Sequence, residues 1–371
     1  VTRVAAIDCG TNSIRMLVAD ISGGRLADVL RRLEIVRLGQ GVDRTGRLAP
    51  EAIERTRRVL AEYAGQVREA GVDRVRMVAT SASRDAANRD DFRAMVLDTL
   101  GTEPEVITGE EEAALSFTGA VRGLAAAATA SAATTGTATA ATAGTAGAGT
   151  AGTATAGTAS AASAGAAGAA TTGTATAASA SAASASAAGA ASGPGQPPYL
   201  VADIGGGSTE LVLGSAAVEA AASVDVGCVR LTERHLADDP PTAGQIAAAE
   251  ADINAAIATA RAAVPLAQAR TVVGLAGSVT TVAAIALGLP EYDSGRIHHS
   301  RISAEQIRAV TGSLLRMTRA ERAALPVMHP GRVDVIGGGA LVLRVLVDEL
   351  GAAGVIVSEH DILDGIAWSI A

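Results

Sequence analysis

Two short stretches, one in each half of the chain, follow the same plan, and this doubling constrains the fold more than any other sequence feature. In the second, Tyr199-Leu200-Val201-Ala202 reads as a strand, Asp203-Ile204-Gly205-Gly206-Gly207-Ser208-Thr209-Glu210 as a turn, and Leu211-Val212-Leu213 as a strand running back. In the first, Val4-Ala5-Ala6-Ile7 leads into Asp8-Cys9-Gly10-Thr11-Asn12-Ser13, and Ile14–Ile21 returns. Glycines in such turns let backbone N–H groups approach an anion without interference from a Cβ. The acid at each end of the second turn does not suit a bare phosphate cradle, because carboxylate and phosphate repel. A bridging divalent cation would reconcile them.

The flanking pattern alternates between strands and helices. After the first hairpin, Gly23-Gly24 breaks the chain and Leu26–Leu38 reads as a strand. Pro50-Glu51 opens a helix, with proline in the first turn and an acid at the positive end of the dipole, and Gly71 ends it. Val75–Ala79 is a strand, Thr80-Ser81-Ala82-Ser83-Arg84 a hydroxyl-rich turn, Arg89–Leu100 a helix, and Glu105-Val106-Ile107 a strand. A helix starts at Thr108-Gly109-Glu110-Glu111-Glu112-Ala113. The second half repeats the alternation: a strand over Val218–Val226, helices over Arg230–Leu236 and Ala243–Ala263, and a strand over Thr271–Ala276. There follow a turn at Gly277-Ser278, a helix over Val279–Leu287, an amphipathic segment over Ile302–Met317, a helix to Leu350, a strand at Val355–Val357 and a closing helix over His360–Ile370. Such alternation predicts an α/β layer architecture.

From Ala125 to Gly195 the composition collapses to Ala, Thr, Gly and Ser. Without charge, aromatic rings or large aliphatic side chains, this tract cannot pack a core. Alanine favours helix while frequent Gly and Thr oppose it, so the expectation is a disordered, dispensable insertion looping out between the two halves.

Composition excludes several functions. The 30 basic residues are all arginine, so a GxxxxGK[ST] phosphate loop and Schiff-base chemistry are both ruled out. Any bound phosphate must be held by backbone amides, hydroxyls, arginine forks and metal. A net charge of −8 argues against nucleic acid as the main partner. The mean hydropathy of +0.31 invites a membrane reading. Val272–Leu289, the one stretch near spanning length, splits at its glycines and lacks an aromatic belt, so a soluble protein is expected. Cys9 and Cys228 sit far apart in apolar settings and read as buried small hydrophobes, with a cytoplasmic location as the default. The first residues run directly into a strand, so no signal peptide is expected. His298, His299 and His329 lack a metal-ligand pattern and read as structural.

A third glycine turn, Gly274-Leu275-Ala276-Gly277-Ser278, lies between strand and helix, where a helix N-terminus can take an anion. Together the three turns resemble the phosphate-1, phosphate-2 and third-loop motifs of the actin/Hsp70/sugar-kinase superfamily, with its ribonuclease H-like domains. Within it, Ala6-Ile7-Asp8-Cys9-Gly10-Thr11-Asn12-Ser13, Ala79-Thr80-Ser81-Ala82-Ser83-Arg84 and Thr108-Gly109-Glu110-Glu111-Glu112-Ala113 are similar to signatures of the exopolyphosphatase and guanosine pentaphosphate phosphohydrolase (Ppx/GppA) family. So are Asp203–Glu210, Gly227-Cys228-Val229-Arg230-Leu231-Thr232-Glu233 and Ser358–Gly365. The likeness covers nearly the whole chain outside the Ala/Thr tract and is nearest to short members without a C-terminal helical domain.

The resemblance implies an α/β fold of two actin-like domains flanking a cleft. They would span 1–123, with the segment 358–371 returning to it, and 198–357, separated by the insertion 124–197. It implies hydrolysis of the terminal phosphoanhydride of inorganic polyphosphate. The alternatives are guanosine pentaphosphate as substrate and a non-catalytic polyphosphate- or nucleotide-binding regulator. Scarce aromatic residues to stack a guanine tip the reading toward polyphosphate. Glu112 would orient or deprotonate the attacking water, while Glu110 and Glu111 complement the helix N-terminus. Asp203, Glu210 and Asp8 would hold Mg²⁺, or Mn²⁺ in its place, and a monovalent cation is allowed for. Gly205, Gly206, Gly207, Ser208, Gly10, Asn12, Ser13, Gly277 and Ser278 would donate to phosphate oxygens. Arg84 would clamp phosphate with help from Thr80 and Ser81, and Arg15 and Arg230 are weaker candidates for that role, with a surface or structural salt bridge favoured for each. No nucleic acid or membrane partner is expected, and a homodimer is left open.

Overall fold

The protein is described from a computed structural model, which covers residues 1–139 and 195–371. The first half opens with a meander, β1 (Thr2–Cys9), β2 (Ser13–Ser22) and β3 (Arg25–Ile35). Helices α1 (Val42–Thr45) and α2 (Pro50–Ala70) lead to β4 (Arg74–Ala79), then α3 (Ser81–Asp85), α4 (Arg89–Leu100), β5 (Glu105–Val106) and α5 (Gly109–Thr139). The second half repeats the meander as β6 (Tyr199–Ile204), β7 (Thr209–Gly214) and β8 (Val218–Val224). It continues with α6 (Cys228–His235), α7 (Ala243–Ala263), β9 (Thr271–Leu275), α8 (Ala276–Ala286), α9 (Ser294–Ile297), β10 (Arg301–Ser303) and α10 (Ala304–Arg316). The chain ends with α11 (Arg319–Ala323), α12 (Ile336–Leu350), β11 (Gly354–Val357) and α13 (Ile362–Ser369).

The two sheets share one topology. The first has the order β3-β2-β1-β4-β5 and the second, read in the matching sense, β8-β7-β6-β9-β11 with β10 at its edge. In each, an antiparallel hairpin is joined along its first strand by a parallel strand. The register makes the likeness close: Asp8 pairs with Arg15 across β1–β2, and Asp203 with Glu210 across β6–β7. Gly10 N–H donates to the Ser13 carbonyl at 2.9 Å, and Gly205 N–H to the Ser208 carbonyl at 3.0 Å. Val1–Thr129 and Gly193–Ala371 form one compact unit holding both sheets.

The period-2 alternation of strands decides which way the acids face. In β1, Ala5, Ile7 and Cys9 pack toward α2 and α4 with Leu60, Tyr63, Phe92 and Val96. Val4 and Ala6 face the other way, onto Ile362, Leu363, Ile366 and Ala367 of α13. Asp8 continues that second row. In β6, Leu200, Ala202 and Ile204 enter the large core beneath α7, α8, α10 and α12. Tyr199 and Val201 instead face Ala113, Phe117, Ala120 and Val121 of α5, and Asp203 continues their row. Both hairpin acids therefore lie on the face covered by α5 and α13.

Several expected elements change in detail. Thr80–Arg84 is a cap followed by the short helix α3 rather than an open turn, and Ile302–Met317 divides into β10 and α10. Gly277-Ser278 is not the turn after β9. The chain turns at Ala276, whose φ of 67° is left-handed and strained for a residue with a Cβ, so α8 starts earlier. Helix α5 runs on to Thr139, into the alanine-rich start of the tract. The expected disorder of the rest of the tract concerns residues outside those described. Cys9 and Cys228 are buried free thiols. Among the described residues no helix is long and apolar enough to cross a membrane.

Candidate active site

The tips of the two hairpins meet. A Cβ on Gly206 would come within 2.9 Å of Thr11 Cβ, and one on Gly207 within 2.7 Å of both Thr11 Oγ1 and Ser81 Oγ. Only glycine permits this approach, and Thr11 and Ser81 share a 2.7 Å hydrogen bond beneath it. Behind the tips lies a cavity of about 90 Å³. Its wall brings together Asp8, Gly10, Asn12, Ser13, Thr80, Ser81, Glu112, Asp203, Gly205, Gly206, Ser208, Gly277 and Ser278 from segments spread over the whole chain.

Helix α5 supplies the carboxylate facing both hairpins. It is opened by a capping box: Glu111 N–H donates to Thr108 Oγ1 at 3.1 Å, while Glu111 Oε2 accepts from Thr108 N–H at 3.0 Å. That occupies Glu111 with the helix start and leaves Glu112, 8% exposed, turned toward the cavity. One turn later Ser116 Oγ donates to Asp203 Oδ2 at 2.6 Å. Helix α5 thus carries Glu112 and fixes Asp203 from the same side.

Three sequence-predicted residues stand behind the cavity rather than in its wall. Arg84 donates to Glu112 Oε2 at 3.2 Å and to the Ile107 carbonyl at 3.0 Å, so its guanidinium is engaged with Glu112. Glu210 is buried and accepts from Ser223 Oγ at 2.8 Å. The Gly207 carbonyl accepts from Arg230 Nε at 2.7 Å. Arg230 also pairs with Asp43 at 2.9 Å and Asp85 at 2.6 Å, bracing the second glycine turn against the first half.

The sequence reading missed Arg332. Its guanidinium lies against Gly277, where a Cβ would overlap it, and Nη1 donates to Thr281 Oγ1 at 3.1 Å. It makes no ion pair among the described residues, yet it lines the cavity as a free cation. A lone arginine in Pro330-Gly331-Arg332 carries no motif, so only the fold reveals it. His298 stacks on His299 with ring centroids 3.7 Å apart and meets His360 in a tilted contact at 4.5 Å, away from the cavity wall. His329 Nδ1 accepts from Gly331 N–H.

Crowded acids dominate the electrostatics. Burial, with Asp203 and Asp8 nearby, pushes the Glu112 carboxyl up to about 8, against a lowering by Arg84. Burial and the charge of Asp361 raise Asp203 to about 6, and Ser116 partly opposes this. Glu210 is held well above the carboxylate range by burial and by Glu112. Asp8 is raised by burial, although Arg15 pulls it down. Asp8 Oδ1 and Asn12 Oδ1 are buried without a partner. A divalent cation suits this donor set, because it would occupy the free Asp8 oxygen and relieve the crowding. Among the described residues no three His, Cys, Asp or Glu form a ready cage.

The crowding has a measurable consequence. A carboxyl whose folded value lies above its unfolded value stabilises the fold below the unfolded value, and that contribution is lost as pH rises through the folded one. For Glu112 the window runs from the ordinary carboxylate range to about 8. In chelator, Tm should fall as pH rises across this window, and excess Mg²⁺ should remove most of the fall. A Tm indifferent to both pH and Mg²⁺ would contradict the clustering.

Two duplicated α/β halves, glycine hairpins meeting tip to tip and a carboxylate-lined cavity define an actin-like enzyme of the phosphohydrolase class. The Ppx/GppA phosphatase family model matches residues 17–136 and 180–371, and the chain belongs to that family. It is 46% identical to exopolyphosphatase 2 of Mycobacterium tuberculosis over all of this chain and 99% of that one. Among solved structures it resembles an exopolyphosphatase-like protein at 38% identity and a TM-score of 0.78, over all of this chain and 98% of the other. A Ppx/GppA family member from Aquifex aeolicus follows at 27% identity and a TM-score of 0.67, over all of this chain and 97% of the other.

Proposed function

We propose that this protein is a cytoplasmic exopolyphosphatase that hydrolyses the terminal phosphoanhydride of inorganic polyphosphate and releases orthophosphate. The observation that carries the reading is Glu112, buried at the wall of a cavity whose other walls are two glycine hairpins and two further carboxylates. The full-length likeness to a protein named exopolyphosphatase supports it.

The terminal phosphate would sit between the hairpins, its oxygens taken by N–H groups of the glycine turns and by the hydroxyls of Ser13, Ser81 and Ser208. Arg332 and the start of α8 would face the next phosphate. Glu112 would accept a proton from the attacking water as oxygen adds to phosphorus and the P–O bond to the chain breaks, with the bridging oxygen leaving on the shortened chain. Arg84 would orient Glu112 and favour its ionised form against the burial that opposes it. Mg²⁺, held through Asp8 and Asp203 with Glu210 behind them, would neutralise charge on the reacting phosphoryl group.

One observation favours a second reading. A larger cavity of about 500 Å³ shares Arg15, Leu33, Gly277 and Arg332 with the first, and Tyr292, Val327 and Met328 also line it. A ring over mixed apolar and cationic walls suits a nucleoside, as in guanosine pentaphosphate. Orthophosphate release from polyphosphate and from guanosine pentaphosphate, measured side by side, tests both readings. A clear kcat/KM preference for polyphosphate is expected, and release from the nucleotide alone would overturn it.

A further inference from the structure

Helix α13, at the far end of the sequence, packs its apolar face on the first hairpin, and the residue that caps it adds a charged contact to the same hairpin. Asp361 is 5% exposed and caps this helix: its Oδ1 accepts from Leu363 N–H at 3.0 Å, and its own N–H donates to Asp364 Oδ2 at 3.1 Å. Its second oxygen, Oδ2, accepts from Arg15 Nη1. The opposite edge of that guanidinium is spent on Asp8, whose Oδ2 accepts from Nε at 3.0 Å and from Nη2 at 2.5 Å. Arg15 is therefore clamped between two buried carboxylates, and Asp8 is left with Oδ1 buried and unpartnered in the cavity wall.

The clamp is held by backbone, not by chance contact. The carbonyl of Asp361 occupies the space a Cβ on Gly119 of α5 would fill, and the carbonyl of Leu115 fills the corresponding space at Gly365 of α13. Two helix backbones thus meet at the residue that carries the carboxylate. The seam that places Glu112 and Ser116 on α5 also sets where Asp361 sits.

We infer that Asp361 is a positioning residue of the reaction: through Arg15 it fixes which oxygen of Asp8 faces the cleft. With Asp361 in place, Arg15 binds Asp8 from one side and leaves Oδ1 open to the cation. Without that charge the guanidinium can swing onto both oxygens and close the position. An outer partner of this kind typically contributes 10- to 100-fold in metal affinity or rate. The inference rests on Asp8 facing the cation in the proposed reaction.

The test is a double-mutant cycle of Asp361→Asn and Arg15→Gln. Asparagine caps helices as well as aspartate does, so the change removes charge and spares the cap. Asp361→Asn should lower kcat about 10- to 100-fold, leave KM for polyphosphate within about twofold, and weaken Mg²⁺ binding, titrated calorimetrically without substrate, by a similar factor. In the Arg15→Gln background it should add little, because both changes break the same clamp. Additive losses would overturn the inference, as would wild-type Mg²⁺ affinity in Asp361→Asn. Should that variant not fold, Arg15→Gln, which leaves the cap untouched, must show the weakened Mg²⁺ binding alone or the idea fails. If the wild type releases no phosphate from polyphosphate, the substrate reading falls while the Mg²⁺ titration still judges the clamp.

Discussion

Glu112→Gln should reduce orthophosphate release from polyphosphate by about 10²- to 10⁴-fold, the range a positioned general base contributes, with KM nearly unchanged. The substitution keeps size and a hydrogen-bond acceptor for Arg84 but removes the group that takes the proton. Burial and neighbouring acids place the Glu112 carboxyl at about 8, near the working range of a base at neutral pH. The wild-type rate should accordingly climb with pH toward about 8 as the carboxylate form is populated, and bound cation should shift that limb to lower pH. The fold should gain, if anything. Glutamine does not titrate, so the stability that Glu112 loses on ionising in its buried site is not lost, and Tm in chelator should become flatter with pH. A variant that releases phosphate at near the wild-type rate would remove Glu112 from the mechanism and shift attention to Asp8 and Asp203.

Much of this site was legible because its parts are local. A hairpin turn encodes its own geometry, so Asp203 and Glu210, seven residues apart with glycines between, had to pair across β6–β7 once the two strands were recognised. The matching pair at Asp8 and Arg15 follows the same count, with an arginine where the second hairpin carries an acid. Glu112 was singled out from Glu111 only by the resemblance, and the fold supplies the physical reason, a capping box that occupies Glu111. What stayed hidden depends on residues brought together from afar. Arg84 carries the right chemistry for a phosphate clamp, but Ile107 and Glu112 turn its guanidinium toward the helix. Arg332 gains its place only when the turn Pro330–Arg332, the start of α8 and the two hairpins converge on one cavity. Asp361 is unreadable as anything but a helix cap until β1 and α13 are known to be neighbours. The strand-to-helix turn at Ala276 defied the glycine rule, since a left-handed residue with a Cβ sits beside a glycine that does not need that conformation.

The largest stability loss is expected from Gly119→Ala, and Gly123→Ala, one turn along the same helix, provides its control. Alanine in a helix interior is worth up to about 1 kcal/mol over glycine, so both changes gain equally from propensity. Their surroundings differ. At Gly123 the nearest atoms a Cβ would meet are His360 Nδ1 at 3.5 Å and His299 Nε2 at 3.7 Å, ordinary contact distances. At Gly119 it would fall within the carbonyl oxygen of Asp361, with the Gly365 backbone nitrogen 3.2 Å away. Neither neighbour is a side-chain end that can rotate aside, so the helix pair must separate. Overpacking of this kind costs about 1–3 kcal/mol or more. In a chain of this size that lowers Tm by several degrees, at about 2–4 °C per kcal/mol. The separation would also carry Asp361 away from Arg15, so turnover should fall further than the loss of folded protein accounts for. Gly123→Ala should keep wild-type turnover and an equal or higher Tm. Thermal unfolding and specific activity of the folded fraction decide the matter: equal behaviour of the two variants would mean that α5 and α13 do not meet as closely as the Asp361 clamp requires.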